Sequence, residues 1–208
     1  MNTYESEFAR SGDLNSLNED EVLSHSLAYK NRLSLKNRAL RVLWQLTWTL
    51  LYRFSPTQFF GWRRMLLRCF GATVGANAHP YPRCRIWAPW NLEMGIDSCL
   101  ANDVDCYSVD KIRLGQSAIV SQQAMLCSAT HDYNDPEFRL ITRPISIGAH
   151  TWIGARAFVG PGVTVGDGAV VGAASAVFRS VESWTVVAGN PAQVLKKRVN
   201  KEQPLIKC

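Results

Sequence analysis

The chain has 208 residues, 47% of them apolar, which fits one domain with an appendage and is ample for a core. Its net charge of +6 is unevenly placed: six of the 17 acidic residues precede Val22, none follows until Glu93, and that gap holds eleven Lys or Arg. So one-sided a block implies a partner or a surface to meet. The six cysteines form no C-x-x-C pair, and the polar, acidic N-terminus is no secretory leader, so a reducing cytoplasm is expected rather than a disulfide framework.

Residues 1–35, rich in Ser, Asn, Asp and Glu, are expected to form a mobile arm with one short helix around 18–29. Residues 36–71 read as a basic amphipathic helical segment. Leu40, Leu43, Trp44, Leu46, Leu50 and Leu51 give a helix over 36–54 its apolar stripe, and Ser55-Pro56 ends it. A second helix over 57–70 carries Arg63, Arg64 and Arg68 and stops at Gly71. The near-apolar runs are too short to span a bilayer. Two readings stand: packing on the repeat that follows or on a neighbouring subunit, or an interfacial membrane contact through residues 36–68, where basic residues and tryptophans without acids suit an anionic leaflet.

From residue 72 a period of six sets in, imperfectly at first. Val74-Gly75, Ile86 and Leu92 keep the step, while Met94-Gly95 and Leu114-Gly115 resume it after two-residue slips. Residues 127–146 break the rhythm and, with Asn134-Asp135-Pro136, mark a loop thrown out from the repeat. The register is then strict: Ile147-Gly148, Ile153-Gly154, Val159-Gly160, Val165-Gly166 and Val171-Gly172, each with Thr151, Ala157, Val163, Ala169 or Ser175 four positions after the aliphatic. An aliphatic-glycine pair falls at a given place on the order of once in a hundred, so five in register are not chance. Six residues make a short strand and a bend, so the aliphatic returns to the same place on each flat face and is buried only by stacking. Glycine is read as easing the bend. The expected fold is all-β: a parallel β-helix over 72–188, an N-terminal helical segment, then a turn at Gly189-Asn190-Pro191-Ala192 and a short basic C-terminal helix within 189–208.

Of the four histidines, His131 opens the excursion loop in Thr130-His131-Asp132-Tyr133, followed by Pro136-Glu137-Phe138. With Pro144-Ile145-Ser146-Ile147-Gly148 and Trp152-Ile153-Gly154, this string resembles the hexapeptide-repeat O-acetyltransferases of sugars, above all the colanic acid biosynthesis type, over residues 37–200. The resemblance implies a left-handed β-helix with three hexapeptides per triangular coil. It also implies acetyl-CoA as co-substrate, a saccharide acceptor, and a homotrimer with active sites between subunits. It makes His131 the catalytic base. A sugar hydroxyl attacks a thioester poorly until a positioned base takes its proton, and imidazole titrates near the working pH; the developing oxyanion needs N–H donors. Asp103, Asp105 and Glu137 are candidates to orient the ring.

Asn102 aligns with an asparagine that contacts the acceptor in galactoside and maltose acetyltransferases, although the run to the histidine is one residue shorter here. Asp103 and Asp105 are further candidates for sugar hydroxyls. Trp152 matches the tryptophan beside the coenzyme A channel, Ala155 and Ala173 match positions that offer backbone groups, and Arg179, Gln193 and Lys196 match the nucleotide end. Phe178 and Gln193 stand where the galactoside enzyme has threonine and arginine, so phosphate contacts are free to shift to Lys197 or Arg198. N-acetylation of an amino sugar nucleotide, transfer to a natural-product acceptor, and a non-catalytic β-helix scaffold at the membrane surface are the alternatives. No close-spaced histidine pair supports the zinc site of a γ-type carbonic anhydrase, so no metal is expected. No motif supports nucleic-acid binding. The expected location is the cytoplasm, peripheral to the inner membrane face if the helices bind it.

Overall fold

The computed structural model describes residues 35–199; the helix expected at 18–29 lies outside them. The chain divides into a large body, which among the described residues is 35–130 with 140–199, and the small loop 131–139. The large body is a parallel β-helix with a helical pair at its start. Helix α1 (Leu35–Thr47) runs into a wide π turn (Trp48–Tyr52), and α2 spans Phe60–Cys69. The single helix read over 36–54 therefore changes its winding partway. Thr47 and Thr49 donate their hydroxyls to the carbonyls of Leu43 and Gln45 at 2.9 and 2.8 Å, bonding that loosens an α-helical ladder.

The wide turn keeps residues four apart on one side. Trp44 and Trp48 donate indole N–H groups to Ile86 O at 2.6 Å and Cys84 O at 2.9 Å, and Tyr52 is buried beside them. These bonds cover backbone carbonyls of the first coil, an end that a solenoid must protect.

The coils stack three parallel sheets. One row of inward side chains runs Val74, Met94, Leu114, Ile147, Val165; a second runs Pro80, Leu100, Val120, Ile153, Val171, Val187; a third runs Ile86, Cys106, Leu126, Val159, Val177. All are buried, as are Thr151, Ala157, Val163, Ala169 and Ser175 of the small-residue positions. Burying an aliphatic of this kind contributes roughly 1.5–3 kcal/mol, and every coil adds another set.

The two-residue slips are real and have a cause. In the first coil the third corner is a 3-10 turn, Pro89–Asn91, which makes that coil longer than the strict ones; the second coil keeps the same length. The glycines serve a different purpose from the one read from sequence. The corners turn through left-handed residues such as Asn77, Asp97, Ser117 and His150, two positions past each glycine. The glycines mark close approach: a Cβ at Gly115 would lie 2.5 Å from Ala149 N, and one at Gly154 would lie 2.6 Å from Ala173 N.

The expected C-terminal helix is instead a strand. Gln193–Lys197 pairs antiparallel with Thr185–Ala188, setting Thr185 against Lys197 and Ala188 against Gln193. The last parallel strand leaves a row of unpaired backbone groups, and the chain returning after Gly189 (φ 102) completes it. A segment this short has no helix of its own to set against that gain.

Candidate active site

His131 ends the strand Ala129–His131, which forms a two-stranded ribbon with Leu140–Thr142. Between them lie two turns in succession. The Asp135 N–H donates to Asp132 O at 3.2 Å and the Phe138 N–H to Asp135 O at 2.8 Å. Each opening aspartate braces its own turn: Asp132 Oδ1 accepts from the Asn134 N–H and Asp135 Oδ1 from the Glu137 N–H, both at 3.0 Å. Arg139 adds ion pairs to Asp135 at 2.8 Å and Glu137 at 3.2 Å.

So braced, Phe138 takes a left-handed conformation (φ 45), and its carbonyl oxygen lies 2.6 Å from His131 Nδ1. A carbonyl only accepts, so Nδ1 carries the hydrogen, and the neutral ring has its lone pair on Nε2. A backbone carbonyl thus contributes to holding the ring. Of the candidates for that task, Asp103 pairs with Arg83 at 2.8 Å and Glu137 with Arg139 at 3.2 Å.

In the large body several of the other candidates fall on two lines. The first is a corner edge. Gln123 N–H donates to Asn102 O, Arg156 N–H to Gln122 O, and Ala174 N–H to Ala155 O. Asn102, Gln122, Ala155 and Ala173 are therefore successive steps of one column, with left-handed Asp103, Gln123, Arg156 and Ala174 beside them. Arg83 ties the start of this edge: its N–H donates to Asn102 Oδ1 at 3.2 Å, and its guanidinium pairs with Asp103.

The second line is an outward row across one sheet: Ile119, Trp152, Val170, Val186 and Lys196 are in register on successive strands. Lys196 is three strands from Trp152, roughly 14 Å. Trp152 is 51% exposed, and its indole N–H donates to Ser121 Oγ at 2.9 Å, which fixes the ring on the surface.

Phe178 and Arg179 follow the strand Ala176–Val177 at a different corner, where the Phe178 ring meets Phe158 at 5.6 Å. Lys197 is held by Glu182 at 2.8 Å, and Arg198 by the carbonyls of His150 and Gly168 at 3.0 and 2.9 Å. The two cations offered as substitutes for phosphate contacts are thus bound to their own coils. Lys196, one place earlier, points to the other side of its strand and is exposed.

The Escherichia coli (strain K12) protein WcaF, assigned as a colanic acid biosynthesis acetyltransferase, is 39% identical over 160 residues, 77% of this chain and 88% of its own length. This chain belongs to the hexapeptide-repeat acetyltransferases. A family model described as the hexapeptide repeat of succinyl-transferase matches residues 144–179, the strict coils and the approach to them. Among solved structures, a maltose O-acetyltransferase from Clostridium difficile 630 superposes with a TM-score of 0.73 at 27% identity, covering 80% of this chain and 90% of its own. A hexapeptide-repeat acetyltransferase of Vibrio cholerae O1 biovar eltor, VCA0836 in complex with acetyl coenzyme A, gives 0.72 at 22% identity, covering 86% and 99%. The fold they share is the left-handed parallel β-helix.

Within this acetyltransferase Asp105 stands apart from its neighbours. It is half-buried on the strand Asp105–Tyr107, and burial pushes its carboxyl above the usual aspartate value, with Arg85 in the paired position pulling the other way. Because the folded value lies above the unfolded one, the unfolded chain releases the proton first. Stability therefore falls as pH rises through that window and stays lower above it. Asp105→Asn is expected to raise the melting temperature at pH 7 by more than it does at pH 3.5; an equal change at both would contradict this origin. Among the described residues no three His, Cys, Asp or Glu side chains are grouped to hold a metal, and His79, His131 and His150 lie on separate elements.

Proposed function

We propose that the protein transfers an acetyl group from acetyl-CoA to a hydroxyl of a saccharide precursor, with His131 as general base. The observation that carries this reading is the 2.6 Å bond from His131 Nδ1–H to Phe138 O. It assigns the lone pair to Nε2, the nitrogen that then takes the proton of the acceptor hydroxyl as its oxygen becomes nucleophilic. Acetyl-CoA supplies an activated acyl group and a thiol leaving group. The chain's own residues fit it: the corner edge at Ala155 and Ala173 has small side chains that leave the backbone open, Trp152 lies fixed on the surface, and Lys196 on the same row suits a phosphate. Asn102 and Asp105 are the acceptor-side residues in this reading. In a homotrimer, His131 of one subunit would work with the coenzyme edge of the next.

Release of free thiol from acetyl-CoA, followed across a panel of sugars, sugar nucleotides and lipid-linked saccharides, tests the proposal. A signal that needs both an acceptor and His131 supports it. Thiol release without any acceptor dependence, or unchanged in His131→Ala, would sink it. Trp152→Ala is expected to raise KM for acetyl-CoA about tenfold with little change in kcat, the pattern of a lost ground-state contact. A loss confined to kcat would remove Trp152 from the coenzyme surface.

A further inference from the structure

The helical pair has two apolar sides, and only one is used by the fold. Trp44, Tyr52, Leu66 and Leu67 are buried against the first coil. Facing away are Leu46 from α1, Leu50 from the π turn, Phe54 from the link just beyond it, and Trp62 and Met65 from α2, with Leu50 68% and Phe54 76% exposed. The two sets adjoin, since the Trp62 indole N–H donates to Leu51 O at 2.9 Å. A group of exposed large apolar side chains on two adjoining helices marks a surface that meets something.

Charge says what it meets. From residue 22 to residue 92 the sequence holds no acid, so this surface offers none to a basic partner. Four of the cations here are occupied within the fold: Arg41 lies 4.1 Å over the Trp87 ring, and Arg63, Arg64 and Arg68 donate to carbonyls of Pro80, Ala78 and Val74. Lys36, Arg38 and Arg53 keep exposed surface, Arg53 with its guanidinium 5.8 Å from the Phe54 ring of the outer apolar set. A second copy of the same face would bring like charges together. An anionic bilayer places negative headgroups beside hydrocarbon within a few ångströms, which is the pairing this surface presents. Among the described residues no helix is long and apolar enough to cross a membrane, so the contact lies in the interface.

We propose that α1, the π turn and α2 dock the protein on an anionic lipid surface, with Leu46, Leu50, Phe54, Trp62 and Met65 entering the headgroup boundary. The acceptor class this favours, a saccharide carried on a lipid, rests on the acetyltransferase reading; the docking does not.

Flotation of the full chain with vesicles of phosphatidylcholine alone, or of phosphatidylcholine with phosphatidylglycerol, tests it without any turnover. The expected result is co-flotation with the anionic vesicles, weakened by salt and reduced roughly tenfold or more in Leu46→Glu/Leu50→Glu/Phe54→Glu. The variant should keep the wild-type circular dichroism, molar mass in solution and thiol release with a water-soluble acceptor. Wild-type protein that stays unbound to both vesicles would overturn the docking, even in a fully active enzyme. So would a variant that binds vesicles as well as wild type, or one whose only change is a smaller assembly, which would make the face an interface between copies. Flotation by a protein that releases no thiol would support the docking and count against the transferase reading alone.

Discussion

Replacing His131 with alanine is expected to lower kcat/KM by roughly 10²–10⁴-fold, the range that a positioned general base contributes, while the melting temperature stays close to wild type. The separation follows from where the residue sits. His131 is exposed at the end of a two-stranded ribbon, in the loop 131–139 and outside the stacked rows that form the core. Within the loop its Nδ1 bonds Phe138 O, and the carbonyl of an exposed residue can turn to water instead. The loop keeps its other ties: the Asp132 and Asp135 turns and the Arg139 ion pairs do not pass through the imidazole. His131→Asn and His131→Gln separate proton transfer from shape, because an amide can occupy the space and bond the carbonyl but cannot take a proton. Both should fall within a few-fold of the alanine variant. Activity restored by Gln would assign His131 a positioning role instead.

What could be read in the sequence depended on whether the signal was periodic. The strict coils were legible from one rule, since Ile147, Ile153 and Val159 repeat an environment that recurs every six residues. The reason for the glycines was not. At Gly115 and Gly154 the constraint is the backbone of the next coil, a neighbour eighteen or more residues away that a local rule about bends does not include. The C-terminal strand failed to register for a similar reason: Gln193–Lys197 has no strand pattern of its own and is shaped by the open edge of Thr185–Ala188.

At the candidate site, His131 and Trp152 were visible as side chains within a family motif. The carbonyl of Phe138 was not visible, because every residue has one and only the fold selects it. The alignment of Asn102 with Ala155 and Ala173 on one edge was hidden by coils of unequal length, the excursion loop lying within one of them.

Arg63→Leu is expected to destabilise the protein by about 2–4 kcal/mol, lowering the melting temperature by roughly 6–12 °C. Arg63 has no exposed surface, and burial pulls its pKa below the usual guanidinium value, the direction expected of a cation taken out of water. The surrounding acceptors offset that cost. Nε donates to Pro80 O at 2.6 Å, Nη1 to Ser55 Oγ and Pro56 O at 2.8 Å each, and Nη2 to Thr57 O; Phe60 lies 4.8 Å below the charge. One planar fork thus joins the link between the helices to the second strand of the first coil. Leucine fills much of the volume and supplies no donor, so the carbonyls of Pro80 and Thr57 lose the guanidinium together, and that of Pro56 keeps the Phe59 N–H at 3.0 Å. Arg63→Lys keeps the charge yet cannot reach three carbonyls in one plane, and it should recover only a minor part of the loss. Thermal unfolding of all three proteins at one protein concentration checks this, because an oligomer's melting temperature depends on concentration. A shift under 2 °C for Arg63→Leu would mean that water enters the site and replaces the fork. A loss of vesicle binding in Arg63→Leu, at a temperature where the coils remain folded, would further show that this side chain positions the helical pair for the surface it meets.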